Sequence, residues 1–178
     1  MVTGAAAHRV WTMSFLRTVS LVGELVTLEP LSQEHHDGLV EAACDGDLWD
    51  LWYTSIPRPE GMRAEIDRRV GLREAGTMLP FTARRNDTGR IIGMTTYLNV
   101  DAANRRVEIG STWTAQSAQR TGTNTESKLL LLTHAFVELE CIAVEFRTHW
   151  SNLQSRAAIA RLGAKQDGVL RNHSIMGD

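Results

Sequence analysis

The chain has 178 residues, enough for one domain with a sizeable core. Its formal net charge is −2 and it carries no long basic or acidic run, which argues against a nucleic-acid or membrane-surface partner recruited by charge. No apolar stretch approaches the roughly 20 residues that a membrane-spanning helix needs.

Residues 1–20 are expected to form a tail or packing arm ahead of one domain spanning 21–178. Met1–Thr12 is small and mixed in composition and lacks the basic and apolar regions of a signal peptide. Leu25–Leu31 alternates apolar and polar residues up to Pro30, as a strand does. Ser32 is a fitting N-cap for a helix over Gln33–Asp45. Asp47–Arg58 holds Trp49, Trp52, Tyr53 and Pro57 without a period and is expected as an aromatic-rich loop. Met62, Ile66 and Val70 recur at helical spacing within a helix over Glu60–Ala75 that ends near Gly76.

The period then changes to two. Leu79–Arg85, Ile91–Val100 and Arg106–Thr114 read as an antiparallel meander with turns at Asn86–Gly89 and Asp101–Asn104. A helix from Thr123 to about Glu138 follows, then a strand over Ile142–Thr148. A helix over Asn152–Leu162 is closed by Gly163, and a last strand is expected over Ala164–Asn172. This order implies an α/β (α+β) domain with one mixed, mostly antiparallel sheet and helices on both faces. The two cysteines, Cys44 and Cys141, fit a reduced, cytoplasmic protein, and no Cys/His cluster has zinc spacing, so no metal is expected.

The segment Gln119–Phe136 passes from a polar loop into a leucine-rich helix. Thr123 and Glu126 have capping-box spacing. Ahead of them, Gly122 admits unusual backbone angles and close approach of a ligand, and Arg120 adds charge. A helix N-terminus offers free N–H groups and a positive dipole end, so the loop suits a phosphate or pyrophosphate. An ordinary helix cap that binds nothing is the competing reading, and there Glu126 competes for the same N–H groups. The pattern is neither GxxxxGK[ST] nor GxGxxG, which excludes the two commonest nucleotide loops.

Further motifs accompany the loop. Val107-Glu108-Ile109-Gly110 lies on a strand, Thr125-Glu126-Ser127-Lys128 opens the helix, and His134-Ala135-Phe136 lies along it. Asn152-Leu153-Gln154-Ser155 and Arg161-Leu162-Gly163-Ala164 follow. In this order and spacing the chain resembles the GNAT acetyltransferase superfamily, in its RimJ/RimL-like branch of ribosomal-protein N-terminal acetyltransferases. The likeness runs from about Leu21 to the C-terminus.

The resemblance implies the GNAT fold, with splayed fourth and fifth strands, and acetyl-CoA as cosubstrate. Gln119, Arg120, Thr121, Gly122, Thr123 and Asn124 would wrap the pyrophosphate. Asn124 stands where relatives usually have glycine or alanine. Trp113 and Thr114 would border the pantetheine arm, and a main-chain N–H there would polarise the carbonyl. Asn152 would contact the CoA arm, against a plain N-cap role. Ser155 would lie near the sulfur as a proton donor. Ile159 occupies the place of the tyrosine that many relatives use, which leaves solvent as the other proton source. Glu108 would be the general base through water, against simple pairing with Arg105 or Arg106.

Trp49, Trp52 and Tyr53 would overhang the acceptor pocket. His149 is weighed for substrate contact and set behind them, while His134 and Cys141 are expected to pack. Relatives usually continue with one more strand, so either that strand lies beyond Asp178 or the domain lacks it, and an open edge there would favour strand exchange or a homodimer. The expected activity is acetyl-CoA-dependent N-acetylation of a primary amine, on a protein N-terminus or a small molecule. The alternative is an inactive CoA-binding sensor or scaffold.

Overall fold

The computed structural model describes residues 17–173. The segment expected as an N-terminal tail, Met1–Thr12, lies outside them. Within them one six-stranded sheet runs in chain order, β1 (Leu21–Val22), β2 (Val26–Pro30), β3 (Met78–Arg85), β4 (Ile91–Asp101), β5 (Arg106–Thr114) and β6 (Ala143–Glu145). Every neighbouring pair is antiparallel except β5 with β6, which is parallel. The short first strand was not expected, so the splaying pair is the fifth and sixth strands rather than the fourth and fifth.

The helices are α1 (His36–Cys44), α2 (Met62–Glu74), α3 (Thr123–Thr133) and α4 (Leu153–Arg161). Residues 33–35 form a 3₁₀ turn before α1, and His134–Glu138 winds on from α3 as a π-helical turn. Neighbouring strand residues face opposite sides of a sheet. On β4 this puts Thr96 towards α2, whose Arg69 reaches it, and Thr95 and Tyr97 towards α3. The Tyr97 hydroxyl donates to the Leu131 carbonyl of α3, and its ring lies 5.8 Å from that of Phe81. The core between the layers includes Leu28, Leu31, Leu39, Met62, Ile66, Leu79, Met94 and Ile109, all almost wholly buried.

Three expectations are corrected. No strand forms over Ala164–Asn172 among the described residues, where Val169 and Leu170 are exposed and no partner strand is paired. The strand expected over Ile142–Thr148 is only Ala143–Glu145, because β5 turns away beyond Glu108. The capping box at Thr123 does not form. Gly122 is the N-cap, with φ 92°, and the Thr123 hydroxyl donates to the Ala118 carbonyl.

Glu126 reaches instead to the turn between β1 and β2. Its carboxylate accepts from the N–H groups of Glu24, Leu25 and Val26 at 2.9, 2.7 and 2.8 Å. Three charge-assisted bonds outweigh the one that a helix cap offers. The Glu126→Ala protein should lose about 2 kcal/mol of stability, seen as a melting point lower by roughly 4–8 °C. An unchanged melting point would show that the carboxylate does not tie this turn to α3.

Candidate active site

β5 organises the site. It pairs with β6 at Arg106↔Ala143, Val107↔Val144 and Glu108↔Glu145 only. From Ile109 to Thr114 no strand among the described residues pairs with it on that edge. The cause lies on its other edge. Met94↔Trp113 is followed by Thr96↔Gly110, so Ser111 and Thr112 together oppose Thr95, and Ser111 sits at φ 46°. Such a bulge bends and twists its strand, here away from β6. The result is a wedge-shaped gap with its closed end at Glu108. β4 and β5 approach so closely at the far end that a Cβ on Gly93 would stand 2.1 Å from the Trp113 carbonyl oxygen.

At the open end lies the loop into α3. Arg120 and Gly122 both have positive φ, 60° and 92°. Among the described residues the main-chain N–H groups of Arg120 to Thr125 meet no acceptor, while the Glu126 N–H donates back to the Gly122 carbonyl. Free N–H groups over a helix N-terminus form an anion-binding surface. Arg120 is exposed and free to add its charge. With Glu126 turned to the β1–β2 turn, no carboxylate among the described residues competes for these donors.

The side chains of this loop hold it in place. The Thr121 hydroxyl donates to the Ala118 carbonyl at 2.6 Å. Gln119 donates to the Thr114 carbonyl at 3.0 Å and accepts from Gln154 of α4, also at 3.0 Å. Gln119 thus ties the end of β5, the loop and α4 together across the gap. Asn152 caps α4, its Oδ1 accepting from the Ser155 N–H at 3.0 Å, and Ser155 is half-buried. The Trp113 ring is buried in the core, so its main chain is the part left to border the gap.

Glu108 stands at the closed end, 6% exposed. Asn99 Nδ2 donates to its Oε2 at 2.7 Å, and Arg147 Nε lies 3.4 Å from the same oxygen. Its arginine partner is therefore Arg147, across the gap, rather than Arg105 or Arg106. Those two sit at or beside the turn and pair with Glu140, and with Asp101 and Glu145. A cavity of about 170 Å³ opens beside Glu108, lined by Asn99, Asp101, Arg106, Glu108, Glu145 and Arg147. Its carboxylates outnumber its guanidiniums, which suits an ammonium group.

The aromatic loop divides. Trp49 packs on the core with the Arg58 guanidinium 5.8 Å from its ring centroid. The Trp52 and Tyr53 rings meet His149 at 4.9 and 6.4 Å. His149 lies two positions after Arg147, so the segment leaving β6 faces Glu108 with one residue and the aromatic loop with the other. Asn99 and Arg147 had no sequence signal as members of the site. His149 had one, its place just past a predicted strand end. Cys141 is buried, and burial pushes its thiol up to about 11, which removes it as a nucleophile near neutral pH.

Comparisons with known proteins bear on the family and the fold. Residues 26–165 match the family described as the acetyltransferase (GNAT) domain. YdaF of Bacillus subtilis (strain 168), named provisionally as a ribosomal N-acetyltransferase, is 36% identical over 84 residues. That stretch spans 47% of this chain and 45% of YdaF, less than half of either. A GCN5-related N-acetyltransferase from Brucella melitensis superposes with a TM-score of 0.79 at 25% identity, covering 90% of this chain and 73% of that one. An acetyltransferase from Salmonella typhimurium, described as modifying the N-terminal serine of ribosomal protein L7/L12, superposes at 0.77 with 16% identity, over 89% and 92% of the two chains. The last likeness shows the fold alone.

Proposed function

The chain belongs to the GNAT acetyltransferase family, and from that premise we propose that it transfers an acetyl group from acetyl-CoA directly to a primary amine. The observation that carries this reading is the run of free N–H groups from Arg120 to Thr125, opening onto the unpaired stretch of β5. A pyrophosphate fits the first and an extended pantetheine arm fits the second. Gln119, Arg120, Thr121, Gly122, Thr123 and Asn124 would hold the phosphates, Thr123 through its main chain since its hydroxyl is buried and engaged. Thr114, the main chain of Trp113, Asn152 and Ser155 would border the arm. Acetyl-CoA supplies the activated acetyl thioester.

The chain's own residues prepare the acceptor. An α-amine (pKa about 8) and a lysine amine (about 10.4) are mostly protonated at neutral pH and must lose that proton to react. Glu108 faces the acid-rich cavity and takes the proton, directly or through one water. Arg147 and Asn99 fix its carboxylate. Trp52, Tyr53 and His149 form the wall that meets the rest of the acceptor. Ser155 is the proton donor to the departing thiolate on the α4 side. We infer an acceptor amine carried by a protein, in line with the ribosomal N-acetyltransferase name of the Bacillus relative, and a cytoplasmic setting.

The test is the melting temperature with and without acetyl-CoA. At about 100 times its dissociation constant the ligand should add ~2.7 kcal/mol of stability, or roughly 5–10 °C for a chain of this size. A folded protein that shows no shift at millimolar acetyl-CoA would return the loop to an ordinary helix start.

A further inference from the structure

The bulge that opens the gap is gripped from both faces of the sheet by buried cations. On one face Arg69 of α2, 2% exposed, donates Nη1 to Thr96 Oγ1 at 2.8 Å and to the Ser111 carbonyl at 3.3 Å. Its Nε meets Glu65 at 2.6 Å, so this charge is paired. On the other face Lys128 of α3, 6% exposed, donates Nζ to Thr95 Oγ1 at 2.8 Å and to Thr112 Oγ1 at 2.6 Å. The two threonine hydroxyls are themselves 2.8 Å apart. Ser111 and Thr112 are the bulged pair, Thr95 is the residue opposite them, and Thr96 is the next along, paired with Gly110.

Lys128 is the unusual member. Among the described residues no carboxylate lies within ion-pair distance of it. The groups facing it from β4 and β5 are two hydroxyls, which do not titrate in this range. On its own helix the nearest acid, Glu126, is committed to the β1–β2 turn. A buried cation held only by hydroxyls is costly, and an apolar residue of the same length would pack there without that cost.

We propose that Lys128 and Arg69 are positioning residues for the acetyl donor, clamping the β5 bulge so that its main chain stays turned into the gap and positive charge lies beneath it. The proposal rests on the gap being the acetyl-CoA site. Lys128 acts through Thr112, which is exposed and lies on the stretch of β5 that β6 leaves unpaired, and Arg69 acts through the Ser111 carbonyl. A strand with a residue at φ 46° relaxes towards regular pairing unless its neighbours over-determine it. The clamp supplies that constraint at the place where the donor's arm would run.

The experiment is the affinity for free CoA by calorimetry, with donor KM and kcat beside it, for the unaltered protein, Lys128→Met and Thr112→Val. Lys128→Met should weaken CoA binding at least tenfold and raise donor KM more than it lowers kcat. Thr112→Val should weaken binding in the same direction with a smaller factor. The affinity of the unaltered protein should fall between pH 6.5 and 8.5 as Lys128 loses its proton, and the Lys128→Met affinity should lose that part of the slope. Affinities within twofold of the unaltered protein, with parallel pH curves, would overturn the clamp while leaving the acetyl-CoA reading intact. Should Lys128→Met fail to fold, Thr112→Val decides alone, since its side chain is at the surface. An unaltered protein that binds no CoA removes the premise and the clamp with it.

Discussion

Replacing Glu108 by glutamine should lower acetyl transfer by about 10²-fold or more while leaving CoA affinity within twofold. Glutamine keeps the volume and a carbonyl oxygen able to accept from Asn99 Nδ2, now at 2.7 Å from Glu108 Oε2. Arg147 loses one partner but keeps Glu145 at 3.2 Å, and its side chain is well exposed. The local structure therefore has little reason to move. What glutamine cannot do is take a proton from the acceptor ammonium. The loss should be larger for a lysine-like amine, which holds its proton more tightly, than for an α-amine. The measurement is thiol release over a panel of amines, with calorimetric CoA binding on the same samples. A variant with near-normal turnover would reduce Glu108 to a partner of Arg147 and move the search for a base to Glu145 and Asp101, which line the same cavity.

Most of the sheet was legible in the residues because its strands alternate and its turns carry Asn, Asp and Gly. The meander from Leu79 to Thr114 and the helix start at Thr123 needed no long-range information. What was not legible depended on partners far away in the chain. Glu126 has capping-box spacing, yet its carboxylate serves three N–H groups about 100 residues earlier. The expected strand over Ile142–Thr148 shrank because of a bulge on a different strand, and nothing within 142–148 encodes that bulge. The loop Gln119–Asn124 is marked in the sequence by its glycine and its family likeness, and the free N–H groups of Arg120 to Thr125 among the described residues are the physical reason.

Lys128 did carry a signal. It falls in the stripe of Thr123, Ser127, Leu131 and Ala135, at the spacing of one buried helix face. A lysine in such a stripe is a question that the sequence raises by itself. The aromatic loop shows the reverse case. Trp49, Trp52 and Tyr53 share one loop, but packing sends Trp49 to the core and leaves the other two with His149.

The same lysine yields the second large effect, on stability. Burial lowers its pKa from 10.5 to about 7. Below pH 7 it is protonated in both the folded and unfolded chain, and the full cost of burying the charge is present. Between about 7 and 10.5 the unfolded chain binds more protons than the folded one, so this group makes stability rise with pH. Above 10.5 it is neutral in both states and the cost is gone. Each pH unit in that window is about 1.4 kcal/mol, so the cost at pH 6.5 is on the order of 4–5 kcal/mol. Methionine removes this cost but forfeits two charge-assisted bonds to Thr95 and Thr112, whose hydroxyls can still bond each other. The Lys128→Met protein should therefore be more stable at pH 6.5 by about 2–3 kcal/mol, or roughly 5–10 °C. That advantage should shrink steadily as the pH is raised towards 10. His35 and His134, both held below the ordinary histidine value chiefly by burial, titrate alike in the two proteins and cancel in the difference. Melting curves of both proteins from pH 6 to 10 make the test. A variant less stable at every pH, by a constant amount, would mean that the ammonium is a net structural bond. A variant that gains stability while losing CoA would mean that the fold carries an unfavourable buried charge because the donor site needs it there.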